Sequence, residues 1–250
     1  ELLFVSGDFF EYVDIAGLDQ LKQLIIYAFE DGGKPNEIMF PKNLEYLAIM
    51  HSELADLDFL SGMKKLKRVS FSIYESLTIT PDTNNFKNLK SLSLSGTGEA
   101  VGFELIAELP SLKKIGFPAE ISQDNFNRFL SLNDQLEIVE MVACENITNI
   151  DALANLPDLR CLTVIESEIP FETYSSLKGL KYLSLTYDPE DDKASIDSLQ
   201  SQLPNTLIVP SSGLCLGSGW LLAFLPLIVM LWIILIIKKR RLKYIKVFFR

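Results

Sequence analysis

The 250-residue chain has a single histidine, His51, and only three cysteines, Cys144, Cys161 and Cys215. One imidazole allows at most one histidine base, and no pattern sets a nucleophile beside it. No second histidine or cysteine lies at ligand spacing from His51, so a surface or turn residue is expected there, not a metal ligand. An odd, sparse cysteine set without a CxxC pair is neither a disulfide framework nor a zinc site. The acidic stretch "DPEDDKASID" (188–197) lacks the glycine turn and regular oxygen spacing of a calcium loop, and reads as a solvated loop. There is no phosphate-cradling glycine loop. These absences leave no support for an enzyme, a metal, a cofactor or a small-molecule substrate. A basic-then-apolar leader is also missing and residue 1 is Glu, so a processed product or a fragment is expected.

Negative charge is missing from one end. Past Asp197 there is no Asp or Glu, whereas seven Lys or Arg residues lie between Lys238 and Arg250. The whole chain carries −10; without those seven cations, residues 1–237 carry −17. A body this acidic repels the phosphates of nucleic acids and the surface of anionic lipids, so no nucleic-acid partner is expected.

What the sequence does contain is a period. An apolar pair of the form L-x-L appears at Leu24/Ile26 and recurs at Leu47/Ile49, Val69/Phe71, Leu92/Leu94, Ile115/Phe117, Val139/Met141, Leu162/Val164, Leu183/Leu185 and Leu207/Val209. Three residues before the pair stands a leucine in eight successive units: Leu21, Leu44, Leu66, Leu89, Leu112, Leu136, Leu159 and Leu180. One period upstream of Leu24 lie Leu3 and Val5, giving ten units with the first one cut short.

This pattern resembles the leucine-rich-repeat family, L-x-x-L-x-L, over roughly residues 2–210. The stretch "NITNIDALANLPDLRCLTVIESEI" (146–169) is most similar to the short repeats of bacterial internalins. The resemblance implies an α/β solenoid with a parallel β-sheet on its concave face and short helices and turns on its convex face. Physics agrees, because alternate residues of L-x-L point to opposite faces, and one short strand per unit stacks into a sheet. "GFELIAELPSL" and "KASIDSLQSQL" read as short helical returns, and "LPNTLIVP" as a last strand ended by Pro210.

One position departs from the family. Three residues after the second strand leucine, where the family carries Asn, stand Phe29, Ser52, Tyr74, Thr97, Glu120, Cys144, Ser167, Asp188 and Ser212. Ser, Thr and Cys can replace the Asn weakly; Phe29, Tyr74 and Glu120 cannot, so an irregular curvature is expected. A solenoid also needs a polar cap over its first unit. Strand one starts at about Leu2, so either residues are missing upstream or an apolar edge stands bare.

Functional residues of the family lie on the exposed strand face. Its first three units place Phe4, Ile25, Tyr27, Tyr46 and Met50 there, where water is expected. Such a patch marks a protein-partner surface with aromatic anchors. Alternatively, upstream residues cover it, or strand propensity alone explains it. The middle of the face is small and serine-rich. Cys144 falls at an inward position and Cys161 on the outward face, so they are not expected to pair and read as structural or inert thiols. "NIT" (Asn146 to Thr148) is a glycosylation sequon, meaningful only in a eukaryotic secretory protein.

Trp220 to Ile237 is an 18-residue run without a charged side chain, long enough to span a bilayer. Pro226 is tolerated in such a helix, and Trp220 suits an interface. A capping helix of the solenoid would show a polar face, and this run is apolar all round. Lys238, Lys239, Arg240 and Arg241 abut it, and positive flanks stay cytoplasmic. The expected organisation is a repeat domain at 1–210 outside the cytoplasm, a Gly/Ser linker at 211–219, a transmembrane helix at 220–237 and a basic cytoplasmic tail at 238–250. A tail resembling bacterial sorting signals, with Cys215 as the processed residue, is the alternative, and a tail-anchored scaffold facing the cytoplasm is another. The sequence therefore points to a non-enzymatic, single-pass membrane protein that binds a protein ligand through its strand face. The alternatives are a surface adhesin released by processing and a cytoplasmic scaffold.

Overall fold

Ten parallel strands form one sheet in strict chain order, apart from two short strands that pair with each other outside it. The computed structural model describes residues 1–11, 14–27, 38–50, 54, 56–60, 62–72, 76–79, 86–96, 98–106 and 109–211. The strands of the main sheet are β1 (Leu2–Ser6), β2 (Gln23–Tyr27), β3 (Tyr46–Met50), β4 (Arg68–Ser72), β6 (Ser91–Ser95), β8 (Lys114–Gly116), β9 (Ile138–Val142), β10 (Cys161–Ile165), β11 (Tyr182–Leu185) and β12 (Leu207–Pro210). The side pair is β5 (Ser76–Thr78) with β7 (Glu99–Val101), also parallel. The repeat pattern gives no sign of that pair.

The repeat dictates this arrangement because each unit presents three apolar side chains on one side. Leu24 pairs in register with Leu3 and Leu47, and Leu162 with Val139 and Leu183, so the inward columns stack unit on unit. Leu24, Leu47, Leu92, Val139, Leu162 and Leu183 are completely or almost completely buried, as are the eight leucines that precede the strands. Each such side chain contributes about 1.5–3 kcal/mol relative to exposure.

The backbone adds a second ladder just before each strand. There one carbonyl accepts two N–H groups from the next unit. Lys22 O takes Glu45 N–H at 2.8 Å and Tyr46 N–H at 3.0 Å, Lys67 O takes Lys90 and Ser91, and Arg160 O takes Lys181 and Tyr182. These bonds need no particular side chain, which leaves the residues free to vary in charge.

Among the described residues the return segments are mostly single 3₁₀ turns, with two α-helices. α1 (Gln123–Leu132) starts at Ser122, whose side chain accepts the Asn125 N–H at 3.3 Å, and buries Phe126, Phe129 and Leu130. An α-helix is wider than a 3₁₀ turn, and Phe103, Phe117, Phe126 and Phe129 fill the added space with ring centroids 5.0–6.0 Å apart. Asn133, fully buried, closes the helix: its Oδ1 accepts the Leu109 N–H at 2.8 Å and its Nδ2 donates to Phe129 O at 2.9 Å. α2 (Lys193–Gln202) is the return expected from "KASIDSLQSQL". Among the described residues of "GFELIAELPSL" there is a 3₁₀ turn at Phe103–Leu105.

The last strand corrects the sequence phase. Leu183 pairs with Ile208 and Leu185 with Pro210, not with Leu207 and Val209, and Leu207 is 60% exposed. The cause lies one residue earlier. Thr206 occupies the buried pre-strand position and its Oγ1 donates to Leu180 O at 2.9 Å, while its N–H bonds back to Leu203. Lys181 O then receives only the Leu207 N–H. The shift of one residue turns every following side chain to the other face.

Among the described residues no helix is long and apolar enough to cross a membrane. The readings that fall on Cys215, Trp220, Pro226, Ile237, Lys238, Lys239, Arg240 and Arg241 lie outside the described residues, as do those on Phe29, His51, Ser52, Tyr74, Thr97 and Ser212.

The turn after the strand carries strain that can be measured. Gly96, Ala143 and Glu166 hold the same place after β6, β9 and β10, with φ of 113°, 54° and 53°. Left-handed backbone suits glycine, and an L side chain there costs about 1 kcal/mol. Ala143→Gly should therefore raise the unfolding free energy by about 0.5–1 kcal/mol and Gly96→Ala should lower it by about 1 kcal/mol, as read from urea denaturation.

Candidate functional site: the open face of the sheet

The period-2 alternation that buries the leucines sends the residues between them to the open face. Register brings the five candidate residues, Phe4, Ile25, Tyr27, Tyr46 and Met50, onto three adjacent strands. Phe4 lies beside Ile25, and Tyr27 beside Met50. Tyr46 follows Gln23 in the first column and is followed by Arg68. Phe4 is 63% and Tyr27 47% exposed, while Ile25, Tyr46 and Met50 are half-buried. The Arg68 guanidinium sits 4.7 Å from the Tyr46 ring centroid. A cation–π contact of this kind contributes about 0.5–1 kcal/mol at an exposed site and favours one orientation of the ring.

Two residues outside the five extend the patch. Leu2, 59% exposed, adds an apolar side chain on β1, and Arg68 supplies the cation that holds Tyr46. Their outward phase is visible in the sequence, but the ring contact is not, since it joins two units.

The face is more closed than alternation alone implies. Ala48, Gly116, Pro118 and Ser184, all outward by phase, are buried. Ala48 is small and stands between Tyr46 and Met50 on its strand and beside Ile25 across the ladder. At Gly116 the backbone of β8 comes so near β6 that a Cβ would lie 2.6 Å from Ser93 Oγ and 3.3 Å from Ser93 Cα. A Cβ at this position would require the Ser93 hydroxyl to turn away and β6 to give by a few tenths of an ångström. Beyond it, Lys114 and Glu140 form an ion pair across the face at 2.7 Å, each about one third exposed. Such a pair contributes less than about 1 kcal/mol.

The turns after the strands replace the family's Asn in part. Cys144 is buried, its N–H donates to Ser167 Oγ at 3.1 Å, and its Sγ lies 3.6 Å from Pro118 O. Ser167 in turn donates to Ile165 O. Glu120 is exposed and accepts from Asn146 Nδ2 at 3.3 Å. Asp188 folds onto its own turn, accepting from the N–H groups of Glu190 and Asp191. Those two donors hold its carboxyl below the usual carboxylate range. The "DPEDD" segment is thus an exposed turn that runs into α2. Among the described residues, no three His, Cys, Asp or Glu side chains are grouped to hold a metal ion.

The fold is similar to those of several solved proteins. TLR13 in its complex with ssRNA13 shares 17% identity, with 83% of this chain and 35% of that chain covered, at a TM-score of 0.51. An internalin of Listeria monocytogenes shares 16%, covering 78% and 62%, at 0.46. A leucine-rich-repeat protein of Leptospira interrogans shares 17%, covering 77% and 55%, at 0.47. The chain thus spans less than two thirds of the length of each. At these identities the likeness concerns the fold alone. No protein-family profile matches the chain, and no curated protein matches it in sequence. The fold is a leucine-rich-repeat-like solenoid with a ten-stranded parallel sheet.

The two described cysteines are both free and differ in environment. Burial pushes the Cys144 thiol up to about 11, which leaves almost no thiolate near neutrality. Cys161 is half-buried on the open face. At pH 8, iodoacetamide followed by peptide mass spectrometry should show modification of Cys161 within minutes, whereas Cys144 should react only once denaturant is added.

Proposed function

We propose that the chain is a non-enzymatic recognition protein, anchored by a single membrane span, that binds a protein ligand through the β1–β3 end of its open face. The observation that carries this reading is the gathering of Phe4, Ile25, Tyr27, Tyr46 and Met50 on three neighbouring strands. Large apolar groups held on a rigid sheet lose little entropy on binding, and Tyr supplies both area and a polar tip. Arg68 over Tyr46 adds preorganisation. A partner should therefore present an apolar projection that fills the space flanked by Phe4, Tyr27 and Tyr46.

A test begins with a photo-crosslinking residue at position 25 of the full chain in its native cells. The crosslinked partner, once identified, is titrated against the wild type and Tyr27→Ser/Tyr46→Ser. Tyr27 is exposed and Tyr46 half-buried, so the double variant should keep its circular dichroism and a cooperative urea transition, with stability lowered by about 0.5–1 kcal/mol for the lost Arg68 contact. Affinity should fall by roughly 10–100-fold, the loss typical of aromatic anchors. Unaltered affinity would remove this face from the binding site.

The anchoring part of the proposal rests on sequence: an uncharged run from Trp220 to Ile237, then Lys238, Lys239, Arg240 and Arg241. It places the repeat domain outside the cytoplasm and the basic tail inside. The full chain should stay with membranes in alkaline carbonate, and a membrane-impermeant maleimide should label Cys161 on intact cells. Carbonate release of the intact chain defeats the anchor, and labelling of Cys161 only after permeabilisation favours a tail-anchored scaffold facing the cytoplasm. Cys215 in its Gly/Ser lead favours a second reading, a surface adhesin whose tail is cut during sorting. An intact mass lacking everything after the lead would select it.

A further inference from the structure

The residues just before the strands form a row of charge along the leading edge of the sheet, where the chain runs into each strand. In chain order the charged members of the row are Glu1, Lys22, Glu45, Lys67, Lys90, Lys113, Glu137, Arg160 and Lys181. Successive members are joined by the backbone ladder, with Lys90 N–H on Lys67 O at 2.7 Å and Lys113 N–H on Lys90 O at 2.9 Å. Neighbouring charges are therefore held about one strand spacing apart, roughly 4.8 Å.

Opposite charges meet on both sides of the middle of this row. Glu45 stands between Lys22 at 3.9 Å and Lys67 at 2.6 Å, and Glu137 pairs with Lys113 at 3.0 Å. The Lys67 ammonium holds the Glu45 carboxyl below its usual range. The centre is different. Lys90 has a lysine on each side, an arrangement of like charges that opposes folding. The windows Met63–Arg68, Phe86–Ser91 and Leu109–Lys114 hold eight Lys or Arg residues and no Asp or Glu. Lys64, Lys87 and Lys90 are all exposed.

Among the described residues, the trailing edge after β8 to β11, where the chain leaves those strands, has the opposite sign. Glu120, Glu145, Glu166, Glu168 and Asp188 are exposed there. An acidic domain therefore concentrates its cations on one margin and sets three of them side by side, with Lys90 in the middle.

We propose that the leading edge around Lys87 and Lys90 is a docking site for a short acidic segment of a protein partner. Carboxylates laid along the row would do for Lys90 what Glu45 and Glu137 do for Lys67 and Lys113. Size selects the partner class. A nucleic acid or a bilayer extends well past the screening length of about 8 Å and meets the repulsion of the acidic body. A short segment meets only the local row. The site is separate from the apolar patch and stands whether or not that patch binds.

The probe is a fluorescein-labelled decaglutamate peptide, titrated with the full chain in zwitterionic detergent and read by anisotropy. Binding should appear at about 50 mM salt and weaken roughly tenfold by about 300 mM. Lys87→Glu/Lys90→Glu should reduce it to the level of a synthetic peptide of residues 238–250, whose seven cations bind the probe independently, and Lys87→Gln/Lys90→Gln should weaken it with circular dichroism unchanged. Lys193→Glu on α2 and Tyr27→Ser/Tyr46→Ser should leave it as in the wild type. Lys90→Glu alone inserts an acid between Lys67 and Lys113, so it should raise Tm by roughly 1–3 °C while it weakens binding. The proposal is overturned by no binding at low salt or by equal binding of the charge-reversed protein. Tighter capture of single-stranded RNA or of phosphatidylglycerol vesicles than of the peptide overturns it too.

Discussion

No unit of this chain can bury its own leucines. Each offers an inward pair on a strand and one leucine before it, and only the next unit's matching set can cover them. Burial therefore requires registration: Leu24 must face Leu47, and Leu162 must face Leu183. The paired-acceptor carbonyls before the strands secure that registration with backbone atoms alone. The apolar cluster on β1–β3, the close approach at Gly116 and the charge row along the leading edge all follow from it. Each is a set of side chains from different units brought to a fixed spacing by the same ladder.

The phase of nine strands was legible in the sequence because burial enforces a period and a period survives variation in the loops. The five residues of the apolar patch were legible for the same reason, since outward residues are simply the ones between the leucines. The last strand was not. Its L-x-L spacing at Leu207 and Val209 looked regular, but a threonine in the buried position before it moved the register. Local pattern cannot reveal a hydrogen bond from Thr206 to Leu180, which belongs to another unit. The burial of Ala48 and Gly116 was hidden likewise, because it depends on the sizes and closeness of neighbours across the ladder. "KASIDSLQSQL" forms its α-helix, and the described part of "GFELIAELPSL" holds a 3₁₀ turn, while the packed group of four phenylalanines gathers around α1.

The two candidate surfaces differ in what holds them. The apolar patch relies on side chains already packed against one another, with Arg68 bracing Tyr46. The basic margin relies on backbone spacing that forces like charges together against their own preference. A partner that touched both would meet an apolar anchor near β1–β3 and a cationic track beginning at the adjacent unit. Orientation would then be fixed by two unlike interactions, one insensitive to salt and the other weakened by it.

The ladder also limits how such a surface can change over generations. A residue inserted inside a strand would invert that strand's faces, as the shift at Thr206 does at the end of the sheet. A residue inserted in a return segment leaves the faces as they were, and the spacing between successive strand pairs already varies along the chain. Gain or loss of a whole unit keeps every contact type and moves the flanking units by one strand width. The distance between two binding features on this sheet can therefore evolve only in whole steps, so a partner that fits one spacing is lost or kept outright, with no graded intermediate geometry between them.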